Sequence, residues 1–376
     1  MDRCGQGSTM QIAAAGPAEK PLSGTPVRVM VVDDSAVVRG LVTRWIDEEP
    51  GLDVVARHAN GKLAVDDVAR SAPDVILLDI DMPVMDGLAA LPLLLRARPQ
   101  VKVVMVSTLT KRNAEISFKA MALGALDYVP KPETNREITT LPDFRDEVIR
   151  KVKALAAVHR RGAPHAETAR AVVPFKTRAF SLVPPRVIVI GSSTGGPQAL
   201  TSLFATLSAS LDRIPVLIAQ HMPPMFTTVL AERLARASGR EAKEGLDGER
   251  LQPGTIYVAP GNLHMTVRPT APPQLAVADG PPVNFCRPAA DPLFMSVAAA
   301  FGPAALAIVL TGMGRDGAAG ARSVADAGGS VIAQDEATSV VWGMPGATAM
   351  TGACAALLPL LGIAEVVAKL IRGERP

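Results

Sequence analysis

The 376-residue sequence predicts an α/β protein made of two doubly wound parallel-sheet domains, the second with a β-hairpin insertion. Three observations lead there. The chain is about twice the length of a domain of about 100–200 residues. In both halves short apolar runs alternate with amphipathic helical patterns, the order that builds a parallel sheet. Between the halves lies an aperiodic, basic, proline-containing stretch. The predicted partition is an extension over 1–24, a first domain over 25–158, a linker over 159–184 and a second domain over 185–376.

In the first half, strands are expected at Val27–Val32, Val54–Ala56, Val75–Leu78, Val101–Val106 and Ala125–Val129. A helix over about Asp143–Val158 closes it, with Arg145, Asp146, Glu147, Arg150, Lys151 and Lys153 on its polar face. The linker begins at His159, Arg160, Arg161 and Gly162 and continues through Pro164, His165 and Pro174, the composition of an exposed tether. Beyond it, strands are expected at Arg186–Ile190, Ile214–Gln220, Thr255–Ala259, Ala305–Leu310 and Ser330–Ala333. Helices are expected near Pro197–Ser208, Met225–Ser238, Asp291–Phe301 and Ala318–Ala327, and a hairpin within His264–Ala278.

Composition narrows the function classes. Lys and Arg number 39 against 36 Asp and Glu, a net +3 that points to neither a nucleic-acid nor a membrane-surface partner. With 48% hydrophobic and 20% charged residues, a mostly disordered chain is excluded. Cys4, Cys286 and Cys354 are spaced too widely for a metal knuckle and are too few for a disulfide framework, which suits a reducing compartment. The first 24 residues lack the apolar core of a secretory signal, and no run of about 18 apolar residues follows. A cytoplasmic monomer without membrane insertion is expected, its first 24 residues a disordered extension.

Ligands of open parallel sheets bind outside the carboxyl ends of the strands, and the polar residues of the first half gather there. Asp33 and Asp34 follow the first strand, Asp79 ends the third, Ser107 ends the fourth and Lys131 follows the fifth. Three converging carboxylates repel one another unless a cation intervenes, and hard oxygen ligands suit Mg²⁺. A carboxylate in such a pocket can accept a phosphoryl group.

The second half opens with a strand running into Gly-Ser-Ser-Thr-Gly-Gly (191–196) and then a helix, a nucleophile elbow with Ser193 at its centre. His221 directly follows the next strand, and Asp316 lies in Thr-Gly-Met-Gly-Arg-Asp-Gly (311–317) after a later one. All three fall on one sheet edge, where His221 can take the Ser193 proton and Asp316 can orient the imidazole. The other histidine of this half, His264, is expected to shape the cleft. Residues 312–317 also spell GxGxxG, with Asp335 placed like a ribose-binding acid. Against that rival, a carboxylate at Asp316 would repel a pyrophosphate.

Residues 25–158 resemble the receiver domain of two-component response regulators, which has a flavodoxin-like fold. The matching motifs are V-D-D-S (32–35), L-D-I-D-M-P-V-M-D-G (78–87), V-S-T (106–108) and K-P (131–132). The resemblance implies Asp79 as phosphoacceptor and Mg²⁺ held by Asp33, Asp34, Asp79 and the Asp81 carbonyl. It further implies Ser107 and Lys131 on the phosphoryl oxygens and a cis bond before Pro132. From Arg186 to Arg372 the chain resembles the Rossmann-like catalytic domain of chemotaxis protein-glutamate methylesterases. Here the motifs are G-S-S-T-G-G, Q-H-M-P (220–223), Y-V-A-P-G (257–261), L-T-G-M-G-R-D-G (310–317) and G-M-P-G (343–346). Implied are a Ser193–His221–Asp316 triad, oxyanion donors from the Thr194 and Met313 backbones, and no cofactor for ester hydrolysis.

The partners implied are methylated chemoreceptor helices as substrate and a chemotaxis histidine kinase as phosphodonor, and glutamine deamidation is a companion activity of some members. One segment departs from the family pattern: in Asn-Phe-Cys-Arg-Pro-Ala-Ala-Asp (284–291), Cys286 and Ala289 stand where a His and a Ser are expected. The alternative is a response regulator whose second domain only docks a partner or binds a dinucleotide.

Overall fold

The computed structural model describes residues 25–131, 142–162, 177–207 and 211–376. The first sheet contains β1 (Val27–Val32), β2 (Leu52–His58), β3 (Val75–Asp79), β4 (Lys102–Thr108) and β5 (Asp127–Lys131). All neighbours are parallel, in the order β2-β1-β3-β4-β5. Every residue of β3 is buried, as a central strand covered on both faces requires. Helices α1 (Ala36–Asp47), α2 (Gly61–Ser71), α3 (Gly87–Ala97), α4 (Lys111–Ala122) and α5 (Pro142–Gly162) pack around it. Ser35, Asn60, Asp86 and Thr110 each accept a backbone N–H with their side chains and start the first four of these. The strand order reverses at β1, so Asp33 and Asp79 come off adjacent strand ends at the switch point.

The second sheet has seven strands: β6 (Val187–Ser192), β7 (Val216–Gln220), β8 (Ala242–Glu244), β9 (Ile256–Val258), β12 (Ala305–Val309), β13 (Ser330–Gln334) and β14 (Ala356–Leu358). Their order is β14-β13-β12-β6-β7-β9-β8. Chain growth runs one way from β6 through β7 and the other way through β12, which opens a crevice at the carboxyl ends of these three strands. The helices are α6 (Gly196–Leu207), α7 (Phe226–Ser238), α8 (Ala290–Phe301), α9 (Ala318–Asp326), α10 (Met344–Met350) and α11 (Leu360–Ile371). The hairpin β10 (His264–Arg268) and β11 (Gln274–Ala278) forms a separate two-stranded sheet.

The expected linker needs correction at both ends. Helix α5 runs on through His159, Arg160 and Arg161 to Gly162, because nothing before that glycine interrupts a helix. At the other end, residues 177–184 are fastened to the second domain: the Arg178 N–H donates to Cys354 O at 2.8 Å and the Ser181 hydroxyl to Pro303 O at 2.8 Å. Elements β8, β14, α10 and α11 carry too few residues or too uniform an apolar pattern to stand out in the sequence. The expected extension over 1–24 and the bond before Pro132 lie outside the described residues.

The two domains share a joint in which Tyr128 of β5 stacks on Phe226 of α7, ring centroids 4.1 Å apart and planes 6° apart. Phe118 of α4 lies 6.5 Å from Phe226 and carries the Arg233 guanidinium over its ring at 5.2 Å. Lys111 and Glu232 pair across the rim at 2.9 Å. Phe226 is fully buried, so Phe226→Ala should lower unfolding stability by about 3–5 kcal/mol through the cavity it leaves. The exposed pair contributes little, and Lys111→Ala should leave the denaturation midpoint nearly unmoved. Urea melts of both variants check this; equal shifts would mean that the aromatic contact is not what holds the joint.

Candidate active site

The acidic pocket assembles as the strand ends dictate. Asp33, Asp34 and Asp79 present carboxylate oxygens within 4.8 Å of one another, a donor set that fits a hard divalent cation. Lys131 reaches in from β5 and bridges Asp33 at 2.7 Å and Asp79 at 2.8 Å. Burial is the largest influence on Asp79; with the neighbouring Asp33 charge it outweighs Lys131 and pushes the carboxyl up to about 7. The Asp81 side chain turns away to accept from Asn113 at 3.1 Å, which leaves only its backbone carbonyl for the part assigned to it. Ser107 is buried, and its hydroxyl donates to Thr108 O at 3.2 Å rather than to Lys131 or Asp79.

In the second domain the pairing of Ser192 with Gln220 sets Ser193 and His221 side by side, one residue past the ends of β6 and β7. The His221 N–H donates to Ser192 O at 3.1 Å. Gln220 braces the elbow, accepting from the Ser192 hydroxyl at 2.6 Å and donating to Ser193 O at 3.0 Å. A Cβ at Gly196 would overlap Gln220 Oε1, and Gly195 takes a φ of 75°, so the elbow needs both glycines. From the loop after β12, Thr311 O accepts the Ser193 N–H at 3.1 Å. Among the described residues neither the Thr194 nor the Met313 backbone N–H donates a hydrogen bond.

Asp316 is buried and faces His221, whose Nε2 lies 2.8 Å from Asp316 Oδ2. Its oxygens also accept the Ala290 N–H at 2.5 Å, the Asp291 N–H at 3.1 Å and the Asn284 side-chain amide at 3.1 Å. Burial opposes the carboxylate, but His221 and these N–H donors outweigh it and hold Asp316 below its usual range. His264 Nε2 binds Pro281 O at 3.0 Å and ties the hairpin to the loop that leads to Cys286. The GxGxxG rival also loses its footing, since Asp316 points to His221 and Asp335 caps a turn by accepting from Thr338 N–H at 3.0 Å.

Two contacts were not legible from spacing. The Cys286 sulfur sits 3.3 Å from His221 Nδ1, and the Thr194 hydroxyl donates at 2.7 Å to Asp127 Oδ2 of the first domain. The departure of segment 284–291 from the family pattern was the one signal pointing toward the first.

The family profile described as CheB methylesterase matches residues 188–367, and that of the response regulator receiver domain matches 29–141. A protein-glutamate methylesterase/protein-glutamine glutaminase of Rhodopseudomonas palustris is 51% identical over 97% of this chain and 100% of its own length. One from Nitrobacter hamburgensis is 52% identical with the same coverage. The chain belongs to the CheB methylesterase family. Among solved structures, the Thermotoga maritima CheB methylesterase catalytic domain covers 50% of this chain and 100% of its own, at 38% identity and a TM-score of 0.48. No helix among the described residues is long and apolar enough to cross a membrane.

Within this family cleft the electrostatics of His221 are set by its two neighbours. Burial disfavours the imidazolium, yet Cys286 and Asp316 together push its pKa up to about 10. A ring that holds its proton cannot take one from Ser193, so the imidazolium has to lose its proton before it acts as base. No hydrogen bond joins Ser193 Oγ to the ring among the described residues. Because the folded value lies above the ordinary 6.5, the charged ring stabilises the fold fully below about pH 6.5, and this contribution is lost as pH climbs through about 10. An NMR titration of His221 should show this elevated value, and Cys286→Ala should move it down toward the ordinary range. An unmoved titration would mean that Asp316 alone sets it.

Proposed function

We infer that this chain is a phosphorylation-activated serine hydrolase that demethylates glutamate methyl esters on chemoreceptors and releases methanol, for chemotactic adaptation. The observation that carries the reading is the convergence of the Ser193 elbow, His221 and Asp316 on one crevice. Ser193 Oγ attacks the ester carbonyl while neutral His221 accepts its proton, and Asp316 orients the ring. The N–H groups of Thr194 and Met313, which donate no hydrogen bond among the described residues, stabilise the oxyanion. The imidazolium protonates the leaving methoxide, and water then repeats the sequence on the acyl-enzyme to give glutamate. The relatives' names couple methylesterase with glutaminase, and the same acyl chemistry deamidates glutamine with ammonia as leaving group.

In the receiver, Asp79 is the phosphoacceptor and a chemotaxis histidine kinase the phosphodonor. Asp33, Asp34 and Asp79, with the Asp81 carbonyl, would hold Mg²⁺, which when bound supplies charge neutralisation for phosphoryl transfer. Lys131 adds its own positive charge beside Asp79, and Ser107 is assigned to the phosphoryl oxygens once its hydroxyl leaves Thr108. The unphosphorylated receiver obstructs the cleft. Supporting this, Asp127 holds the hydroxyl of Thr194, the residue next to the nucleophile, and Gln198 donates to Ala125 O at 3.0 Å. Charge added at Asp79 acts on β5 through Lys131, and β5 carries both Asp127 and Tyr128 of the joint.

Ser193→Ala should cut methanol release from methylated receptor membranes by at least about 10⁴-fold while phosphorylation proceeds normally. Near-parental turnover in that variant would remove Ser193 as nucleophile. Asp79→Asn should abolish stimulation by a phosphodonor, read by the same assay. A fragment beginning at residue 177, where the second domain is first anchored, should exceed the unphosphorylated full chain in activity and ignore the phosphodonor. Equal activity of the two would mean that the receiver activates by another route than uncovering the cleft.

A further inference from the structure

We propose that Cys286 forms a second reactive centre in this cleft, a thiol paired with His221 that hydroperoxides oxidise to a sulfenic acid, reversibly switching the esterase off. The inference rests on the assignment of His221 as the esterase base.

Three nucleophile-bearing groups meet at one place: Cys286, His221 and Asp316, joined by contacts of 3.3 Å and 2.8 Å. A thiol beside a base that is itself oriented by a carboxylate passes its proton to the ring and becomes the nucleophilic thiolate. The elevated pKa of His221 agrees with such sharing of charge. Local backbone holds the sulfur in position. Val283 and Cys286 exchange backbone hydrogen bonds of 3.1 and 2.9 Å around Asn284 and Phe285, which adopt φ of 51° and 63°. Left-handed conformations at two successive non-glycine residues are costly and persist only where the surroundings impose them. Here Asn284 is clamped by its amide to both Asp291, at 2.9 Å, and Asp316.

Access also favours Cys286. It is only partly buried, and it follows Phe285, whose side chain is 95% exposed. Cys354 provides the contrast: buried among apolar side chains, it has its thiol pushed up to about 12 by burial alone. A thiol in that setting is inert.

In the reaction the Cys286 thiolate attacks one oxygen of the hydroperoxide. An S–O bond forms, the O–O bond breaks, and the departing oxygen leaves with the electron pair and takes a proton from the His221 imidazolium, ending as water or an alcohol. The sulfur is oxidised by two electrons and the peroxide is reduced. The added oxygen occupies the space beside Nδ1 and hydrogen-bonds the ring, keeping it from Ser193. A small thiol then attacks the sulfenic sulfur and expels water, and a second small thiol attacks its own kind's sulfur in the resulting mixed disulfide, forming a small disulfide and releasing the Cys286 thiolate.

The test treats the full chain with hydrogen peroxide, traps sulfenic acid with dimedone, and maps the adduct by mass spectrometry beside the methanol-release assay. The adduct should appear on Cys286 and not on Cys354. Activity should fall at least about tenfold relative to the untreated protein and return with dithiothreitol. Cys286→Ser should keep its own untreated rate through the same exposure, whereas Cys354→Ser should respond as the parent does. His221→Ala should slow dimedone labelling at Cys286 by about tenfold, a readout independent of esterase activity. Absence of an adduct on Cys286, an adduct without loss of activity, or equal inactivation of Cys286→Ser would each overturn the proposal. Should the untreated chain release no methanol, the esterase reading fails and the labelling arms alone decide whether the thiol is reactive.

Discussion

The buried carboxylate of Asp316 holds together pieces of chain that otherwise have no reason to meet. Its two oxygens take His221 from the end of β7, the first backbone N–H groups of α8 and the amide of Asn284. A buried charge is tolerated only when it is multiply hydrogen-bonded, and here four donors from three segments satisfy it. The consequence is geometric. The loop after β12, the start of α8 and the 283–286 turn cannot shift independently, so the imidazole and the Cys286 sulfur are set by the same anchor.

The two domains meet in a joint of a different kind. Phe226 meets both Tyr128 and Phe118, and one continuous apolar cluster runs through both domains. Around it lie a few polar contacts, of which the Thr194–Asp127 hydrogen bond comes closest to the chemistry. Asp127 also pairs with Lys151 at 3.2 Å, so the carboxylate that grips the elbow residue is itself part of the receiver's charge network. A joint of limited polar area can be biased by a single new charge, because only the difference in its affinity for the two receiver states matters. Lys131, which bridges Asp33 and Asp79, ends β5, the strand that also carries Asp127 and Tyr128.

Much of this was readable in the sequence. The strand-end carboxylates, the elbow, His221 and Asp316 all follow from one rule, that parallel sheets place their functional residues at strand carboxyl ends, and from the alternation that locates those ends. The five strands of the first sheet fall within a few residues of expectation. Less legible were β8 and β14, three residues each, whose pairing depends on neighbours distant in sequence. The expected tether differs from the structure at both ends because proline and basic residues do not mark detachment: Arg178 and Ser181 are half-buried and bonded to the second domain.

What the sequence by itself determined is the chemistry available: two parallel-sheet domains, an acidic pocket with its lysine, and a serine, a histidine and an aspartate bound for one rim. Periodicity and motif spacing are local properties, and these features are written locally. What only the tertiary structure decided is which of those groups engage one another and when. The Cys286–His221 contact spans 65 residues and the Thr194–Asp127 contact 67. The first exists because two non-glycine residues are held in left-handed conformations by a distant carboxylate, the second because an aromatic stack seats one domain on the other. Neither a turn held open by a remote anchor nor a fit between two separately folded surfaces leaves a pattern along the chain.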